Sequence, residues 1–272
     1  RAKRRRAEGA PAAGAAALAP EARAAETPGV WVRGPFSLDR LRVKVAEGAR
    51  QFTKSVEEAA DTHWLTERAR NPTIFDGPVW CLTSFSTTGR GEAGSEAADY
   101  EADAGPLGEE ALELELQKST FKYVLYTHLS DQGLHLDREQ KAGACGLMAL
   151  TETSDGFLVF GRRSSALASM PGHWHAVPAG HVDSASPQDV LRKELEEETG
   201  VSWGEVVEAG LLAVMDTGVE QGHKPELVFV LKLVLGAADL YKRCMQAEDR
   251  GEHDRLLFVR RPGGAAAAAG AG

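Results

Sequence analysis

The sequence predicts an α/β fold, with one domain over residues 140–261 and an N-terminal α+β extension over residues 37–139. Short apolar runs typical of strands alternate along the chain with segments of helical periodicity. No segment repeats at a fixed period. Hydrophobic residues make up 43% of the 272 residues and charged residues 26%, which is enough for a globular core.

Charge and composition exclude several classes of protein. The formal net charge of -9 argues against a nucleic acid polymer as the main partner. No run of 18 apolar residues is present, so we expect neither a membrane-spanning helix nor a membrane partner. Cys81, Cys145 and Cys244 are far apart and odd in number, which predicts neither a disulfide framework nor a zinc cluster. This cysteine usage suits an intracellular compartment, cytoplasmic or organellar. The composition leaves the oligomeric state open.

Three segments are too polar or too simple to build a core. Residues 1–28 begin RAKRRR, contain twelve alanines and carry a charge of +3, so the remaining chain carries -12. We expect a disordered tail there, although the basic cluster is also compatible with a targeting segment. The first residue is Arg1 and not Met, so an incomplete N-terminus stays open, and with it the compartment. Residues 87–110 predict an acidic surface loop, and residues 263–272 a second low-complexity tail.

The elements of the extension follow from apolar spacing. Residues 37–70 show helical spacing and predict one or two helices, which Asn71-Pro72 would end. Residues 74–82 predict a turn and a short strand. Residues 120–129 are rich in β-branched and aromatic side chains and predict another strand.

The second half alternates strands and helices. Residues 145–163 predict a hairpin, because Ser154-Asp155-Gly156 separates two apolar runs. Further along the chain, the sequence predicts helices over 187–199 and 237–249, and strands over 211–216, 226–235 and 255–261.

The helix predicted over residues 187–199 contains the candidate catalytic and metal-binding residues. Ser186 is a natural N-cap, Pro187 suits the first helical position and Gly200 suits the C-terminal end. At 3.6 residues per turn, three glutamates fall within an arc of about 100°: Glu194, Glu197 and Glu198. Like charges so close together repel one another. Such a face either points to water or holds a hard divalent cation, which prefers oxygen ligands.

The surrounding residues resemble the Nudix box, GX5EX7REUXEEXGU, where U is aliphatic. The run Glu194–Val201 matches the second half in full, and Gly180 with Val182 and Asp183 is similar to the opening loop. Leu158–Arg163 resembles the strand that precedes the box. The resemblance implies an α/β/α sandwich around a mixed sheet and Mg²⁺- or Mn²⁺-dependent hydrolysis of a nucleoside diphosphate linked to another moiety.

The resemblance also implies roles for individual residues. The metal ligands would be Glu194, Glu197, Glu198 and the Gly180 carbonyl. Glu197 or Glu198 would act as the base, with Glu248 and Glu252 as candidates outside the box. Arg162 and Arg163 would contact phosphate oxygens. Three histidines near the loop match no zinc spacing and are expected to be solvated: His173, His175 and His181.

The chain departs from the family pattern at two places. The gap from Gly180 to the basic position is one residue short, and Ala185 or Ser186 stands where the early Glu belongs. Lys193 replaces the family Arg, which orients a catalytic Glu through a planar fork, whereas Lys offers a point charge. Lys193 can still reach Glu197 at i+4, so we assign it a supporting catalytic role.

Outer motifs are similar to those of the uridine diphosphate glucose pyrophosphatase subgroup. They lie in residues 64–82, 150–164 and 170–183. The subgroup implies a nucleotide-sugar substrate, UDP-glucose or a relative, cleaved to a nucleoside monophosphate and a sugar phosphate. Two alternatives stay open: a coenzyme A diphosphatase, echoed by Arg163-Ser164, Leu167 and Gly172, and a catalytically weak Nudix fold that binds a ligand or a protein.

Overall fold

The computed structural model describes residues 29–88, 110–167 and 170–261. The predicted tails, 1–28 and 263–272, and nearly all of the predicted acidic loop lie outside these residues. Of the helices in the described ranges, none is long and apolar enough to cross a membrane. The described strands are β1 (Gly29–Ser37), β2 (Leu41–Ala49), β3 (Pro78–Thr88), β4 (Ala111–Thr120), β5 (Gly146–Glu152), β6 (Phe157–Arg163), β7 (Trp174–Ala176), β8 (Ala179–His181), β9 (Val206–Asp216), β10 (Pro225–Leu233) and β11 (His253–Arg260). The α-helices are α1 (Lys54–Arg70), α2 (Phe121–Leu129), α3 (Asp131–Leu134), α4 (Pro187–Thr199) and α5 (Ala237–Cys244).

A large mixed sheet forms the centre of the molecule. Eight strands belong to it, in the order β1-β9-β10-β5-β6-β11, with β7 paired to β6 and β8 paired to β5. Strands β10 and β5 run parallel, and the other pairs run antiparallel. The predicted α/β fold with a mixed sheet is therefore confirmed.

The N-terminal extension forms a second sheet, in the order β2-β4-β3, and shares its core with the large sheet. Backbone hydrogen bonds join the two, since the Trp80 N–H donates to the Val182 carbonyl at 2.8 Å and the Cys145 N–H donates to the Trp80 carbonyl at 2.8 Å. Buried leucines of β4 and β5, among them Leu114 and Leu147, belong to one apolar cluster. The extension is thus packed into the fold and not tethered beside it.

The helix predicted from residue 37 begins only at Lys54. Residues 41–49 form β2, because Leu41 and Val43 alternate with charged residues and suit a strand with one buried face. Its neighbour is β4, which runs parallel to it. Helix α1 starts at the Thr53 N-cap, whose side chain accepts a hydrogen bond from the Val56 amide, and ends before Asn71 as predicted.

The strand predicted over 120–129 is wrong, because residues 121–129 form α2. The buried side chains Val124, Thr127 and His128 recur at helical spacing on the face that packs inward. The rings of Phe52 and Tyr123 stack with centroids 4.1 Å apart, which fixes α2 beside α1. Tertiary packing here outweighs the strand preference of the aromatic and β-branched residues.

The predictions for the second half are confirmed in type. Strands β5 and β6 form the predicted hairpin, and Gly156 in its turn has a left-handed φ of 80°. Helix α4 has the predicted bounds, and β9, β10 and β11 cover the three later strands. The last helix is shorter than predicted and ends at Cys244.

Candidate active site

Helix α4 is held by the caps and the apolar face that its sequence indicates. The Ser186 side chain accepts a hydrogen bond from the Asp189 amide, and Gly200 ends the helix with a left-handed φ of 68°. Leu191 and Leu195 are fully buried in the main core. The orientation of the neighbouring glutamates is therefore set by the packing of the whole helix.

Glu198 is the most deeply buried of the three glutamates, with 2% of the residue exposed. Its Oε1 accepts a hydrogen bond from the Ala179 amide at 3.0 Å. Its Oε2 is buried and has no hydrogen-bond partner within the described parts of the chain. Burial, with Glu252 and Glu194 nearby, raises the pKa of Glu198 well above its ordinary value.

Glu194 lies directly against strand β8 at Gly180. A Cβ atom added at Gly180 would lie 2.6 Å from the Glu194 carboxyl carbon, so a larger residue at this position would displace the carboxyl group. Burial raises the pKa of Glu194 to about 7, and Glu197 and Glu252 add to the rise against the opposing effect of Lys193. The predicted juxtaposition of Gly180 with the glutamates is present.

Lys193 joins the exposed edge of the site. Its Nζ lies 3.2 Å from Asp183 Oδ2, 3.6 Å from Glu197 Oε2 and 3.9 Å from Glu194 Oε1. Burial lowers the pKa of Lys193, but the hydrogen bond with Asp183 and the carboxylates outweigh it and raise the pKa. The predicted approach to Glu197 is present, and Asp183 is an additional partner that the helix spacing could not reveal.

Of the two acids proposed outside the box, the structure brings Glu252 to the site. The Asp249 amide donates to the Glu197 carbonyl at 2.9 Å, and the Ser164 amide donates to the Glu252 carbonyl at 2.7 Å. These two hydrogen bonds hold residues 249–252 between helix α4 and the end of strand β6. Burial raises the pKa of Glu252, whereas Glu248 is exposed.

The two arginines of β6 lie in different surroundings. Arg163 lies close enough to Glu198 and Glu252 to oppose the rise in their pKa values. The Arg162 Nε donates to the Gly172 carbonyl at 3.2 Å. Side chains alternate along a strand, so consecutive arginines cannot share a face. Phosphate contact by Arg162 stays a prediction, and Arg163 is the arginine beside the carboxylates.

A partly buried histidine pair borders the carboxylates. The His175 and His253 Nε2 atoms are 2.8 Å apart, and His253 Nε2 lies 3.7 Å from Glu198 Oε2. Burial lowers the pKa of His175 to about 3 and that of His253 to about 4. The expected solvation of the loop histidines is wrong for His175, and also for His181, whose pKa burial lowers to about 3. His253 was missed, because its side chain reaches the site only through pairing of β11 with β6.

The donor set fits a hard divalent cation. Across the described ranges, no group of three His, Cys, Asp or Glu side chains is already arranged as metal ligands. However, Glu198 Oε2 is buried and has no hydrogen-bond partner among the described residues. Glu252 adds to the rise in the pKa of Glu194, and Glu252 and Glu194 both add to the rise in the pKa of Glu198. A cation such as Mg²⁺ or Mn²⁺, which takes carboxylate and carbonyl oxygens, would relieve both conditions.

Part of this chain is similar to three solved structures from microorganisms. The chain is 17% identical to DR0079 from Deinococcus radiodurans, covering 43% of this chain and 67% of that one, with a TM-score of 0.32. It is 19% identical to the MutT protein from Methanosarcina mazei Go1, covering 43% and 76%, with a TM-score of 0.28. It is 14% identical to the Nudix hydrolase RenU from M. smegmatis, covering 43% and 70%, with a TM-score of 0.27.

The second half of the chain matches a family model. No curated protein matches the chain. The family model described as NUDIX domain matches residues 141–260, which include α4, β8 and the segment that carries Glu252. Residues 141–260, which make up less than half of the chain, are therefore similar to a Nudix domain.

Proposed function

We propose that the chain is a Mg²⁺-dependent hydrolase that cleaves the diphosphate of a nucleoside diphosphate-sugar. The observation that carries the proposal is the convergence of Glu194, Glu198 and Glu252 beside Gly180, with one buried carboxylate oxygen lacking a partner. Mn²⁺ would suit the same oxygen ligands.

The residues that would hold the metal are Glu194, Glu197, Glu198 and the Gly180 carbonyl. When bound, the cation would neutralise diphosphate charge and lower the pKa of a water molecule. Lys193 orients Glu197 through its ion pair. Arg163 stands beside the carboxylates, where its guanidinium can bind a phosphate oxygen in bidentate fashion.

Glu252 is well placed to act as the base that accepts the proton of the attacking water. Its pKa is raised by burial, which brings a carboxyl group closer to neutral pH and strengthens it as a base. Glu197 and Glu198 are the alternatives within the box. In-line attack on phosphorus would break the bond to the leaving phosphate oxygen and release a nucleoside monophosphate and a sugar phosphate.

The substrate class rests on the similarity of residues 64–82, 150–164 and 170–183 to the UDP-glucose pyrophosphatase subgroup. The ion pairs of Lys193 support an enzyme over a catalytically weak binding module, because Lys193 keeps a contact with Glu197 despite replacing the family Arg. The alternative of a coenzyme A diphosphatase would use the same carboxylate site, so only an assay of the substrate distinguishes it from the proposed function.

The test is a substrate panel of UDP-glucose, ADP-ribose, NADH, coenzyme A and 8-oxo-dGTP, assayed with and without Mg²⁺. We expect UMP release from UDP-glucose only with the metal. Glu197→Gln should abolish this release with little change in melting temperature. Glu196→Gln is the matched control, since Glu196 lies on the exposed side of the same helix.

Each other outcome has a defined meaning. If coenzyme A is the only compound hydrolysed, the nucleotide-sugar substrate is wrong and the protein is a coenzyme A diphosphatase. Absence of metal-dependent turnover of every compound would favour the binding module. An unchanged rate in Glu197→Gln would refute the role assigned to Glu197.

A further inference from the structure

A second cavity, of about 440 Å³, lies between the N-terminal extension and the Nudix domain. The extension lines most of it, through Arg50, His128 and Arg138, and the Nudix side supplies Gly143 and His223. None of its lining residues belongs to the carboxylate site. Its volume is within the range of small-molecule sites, about 300–1,000 Å³.

Three cations converge on this cavity. Lys141 is only 2% exposed, and its Nζ donates to the Leu134 carbonyl at 2.9 Å. Arg50 donates through Nε and Nη2 to the carbonyls of Lys141 and Glu139, at 3.0 and 3.2 Å. The Arg138 guanidinium lies over the Trp31 ring, 4.2 Å from its centroid. The side chains are thus held in place by carbonyl groups and an aromatic face.

The residues that line the cavity or hold it in place include three cationic side chains and one acidic residue, Glu139. No carboxylate in the described ranges lies within ion-pair distance of Arg50, Arg138 or Lys141, although ion pairs are frequent elsewhere in the chain. Burial lowers the pKa of Lys141, and this effect outweighs the opposing effects of Asp216 and Asp137. In a protein of net charge -9, such a cavity is a distinct positive region.

The backbone around the cavity is also unusual. His223 has a left-handed φ of 58°, a conformation that is uncommon for residues other than glycine. Its Nδ1 lies 3.1 Å from both Asp216 carboxylate oxygens. Strained residues that are held by their surroundings cluster at ligand sites. The loop between β9 and β10 therefore presents His223 to the cavity in a fixed orientation.

We propose that this cavity binds a phosphate-bearing small molecule without a divalent metal. The Arg138 guanidinium offers planar, bidentate geometry for phosphate oxygens. Arg50, which already donates to two carbonyls, and the Lys141 ammonium add positive charge. The cations of the protein neutralise the ligand directly, in contrast to the carboxylate site, which needs a metal to accept a phosphate. The site is independent of the proposed hydrolytic activity.

The test uses inorganic pyrophosphate as the probe and isothermal titration calorimetry of the full chain in excess EDTA. We expect saturable binding to one site. Arg138→Gln and Lys141→Met should each weaken it at least about tenfold, because each removes a charge-assisted contact. Arg68→Gln, an exposed arginine on α1 away from the cavity, should leave the affinity unchanged.

Three results would overturn the proposal: no binding in EDTA, equal affinity in Arg138→Gln and the parent, or equal affinity for malonate, a dicarboxylate of similar charge. Glu197→Gln should bind pyrophosphate as the parent does, whether or not that variant is active. If Lys141→Met does not fold, Arg138→Gln decides alone, since Arg138 is exposed at the cavity mouth.

Discussion

The Ala179 amide donates a hydrogen bond to Glu198 Oε1 at 3.0 Å and so attaches strand β8 to the buried carboxylate of α4. The other oxygen of the same carboxylate, Oε2, has no hydrogen-bond partner among the described residues. In the Glu198 carboxylate, Oε1 therefore holds the protein backbone in place, and Oε2 is available to bind a ligand.

This division predicts opposite effects of Glu198→Gln on stability and on metal binding. The amide oxygen can still accept from Ala179, while the buried charge is removed. At pH 8 without metal, we expect unfolding to cost about 1 kcal/mol more, a rise in melting temperature of about 2–4 °C. The increase in melting temperature caused by Mg²⁺ should become smaller. A lower metal-free melting temperature with an unaltered Mg²⁺ response would contradict this.

Gly180→Ala tests the close approach of β8 to Glu194. The added Cβ would lie 2.6 Å from the Glu194 carboxyl carbon, so the side chain must move. We expect metal-dependent turnover to fall about tenfold to a hundredfold, as for a misplaced catalytic group. Gly204→Ala is the control, because its nearest neighbouring atom would lie at 4.0 Å. Equal rates in both variants would show that Glu194 need not occupy this position.

Lys193→Arg and Lys193→Met together test the substitution of the family Arg. Lys193→Arg should keep or raise kcat, since a guanidinium can bind the carboxylates of Asp183 and Glu197 in planar geometry. Lys193→Met should lower kcat about tenfold while changing the free energy of unfolding by less than about 1 kcal/mol, because the pair is partly exposed. A loss of activity in Lys193→Arg as large as in Lys193→Met would argue against a charge-based role.

The burial of His128 predicts sensitivity to acid. Burial lowers its pKa to about 3 in the folded protein, below the ordinary value of 6.5. Between these two values the unfolded chain binds a proton that the folded chain does not, so the free energy of unfolding falls as pH falls. The contribution is about 1.4 kcal/mol for each pH unit. Urea unfolding from pH 7 to pH 4 should show a shallower dependence in His128→Gln.

A comparison variant isolates this effect. His173 is exposed, so His173→Gln should leave the slope of stability against pH as in the parent. If His128→Gln and the parent have the same slope, His128 is not the source of the pH dependence.

Helix α4 could be predicted from the sequence because the residues that determine its ends lie next to it in the sequence. Ser186, Pro187 and Gly200 are end signals that act within one turn, and the glutamate spacing follows from helix geometry. The contact between Lys193 and Glu197 is of the same local kind. The helix ends and the Lys193–Glu197 contact are expected in any fold that buries Leu191 and Leu195.

The sequence-based predictions failed where the local structure depends on contacts with residues that are distant in the sequence. Residues 121–129 carry side chains that favour a strand, yet packing of Tyr123 on Phe52 makes them a helix. His253, which the sequence did not assign to the site, reaches it through the pairing of β11 with β6, across about ninety residues of sequence. The cationic cavity likewise combines Arg50, Lys141 and His223, which no sequence window contains together.

Strand β1 pairs with β9 along the outer edge of the large sheet, although it lies over a hundred residues before the segment 141–260 that matches the NUDIX domain model. Without β1, the backbone N–H and C=O groups on that side of β9 would be exposed and able to pair with another chain. A fragment trimmed to residues 141–260 would therefore be prone to self-association, even with every residue of the carboxylate site in place. Strand β1 thus protects the edge of the large sheet from pairing with another chain.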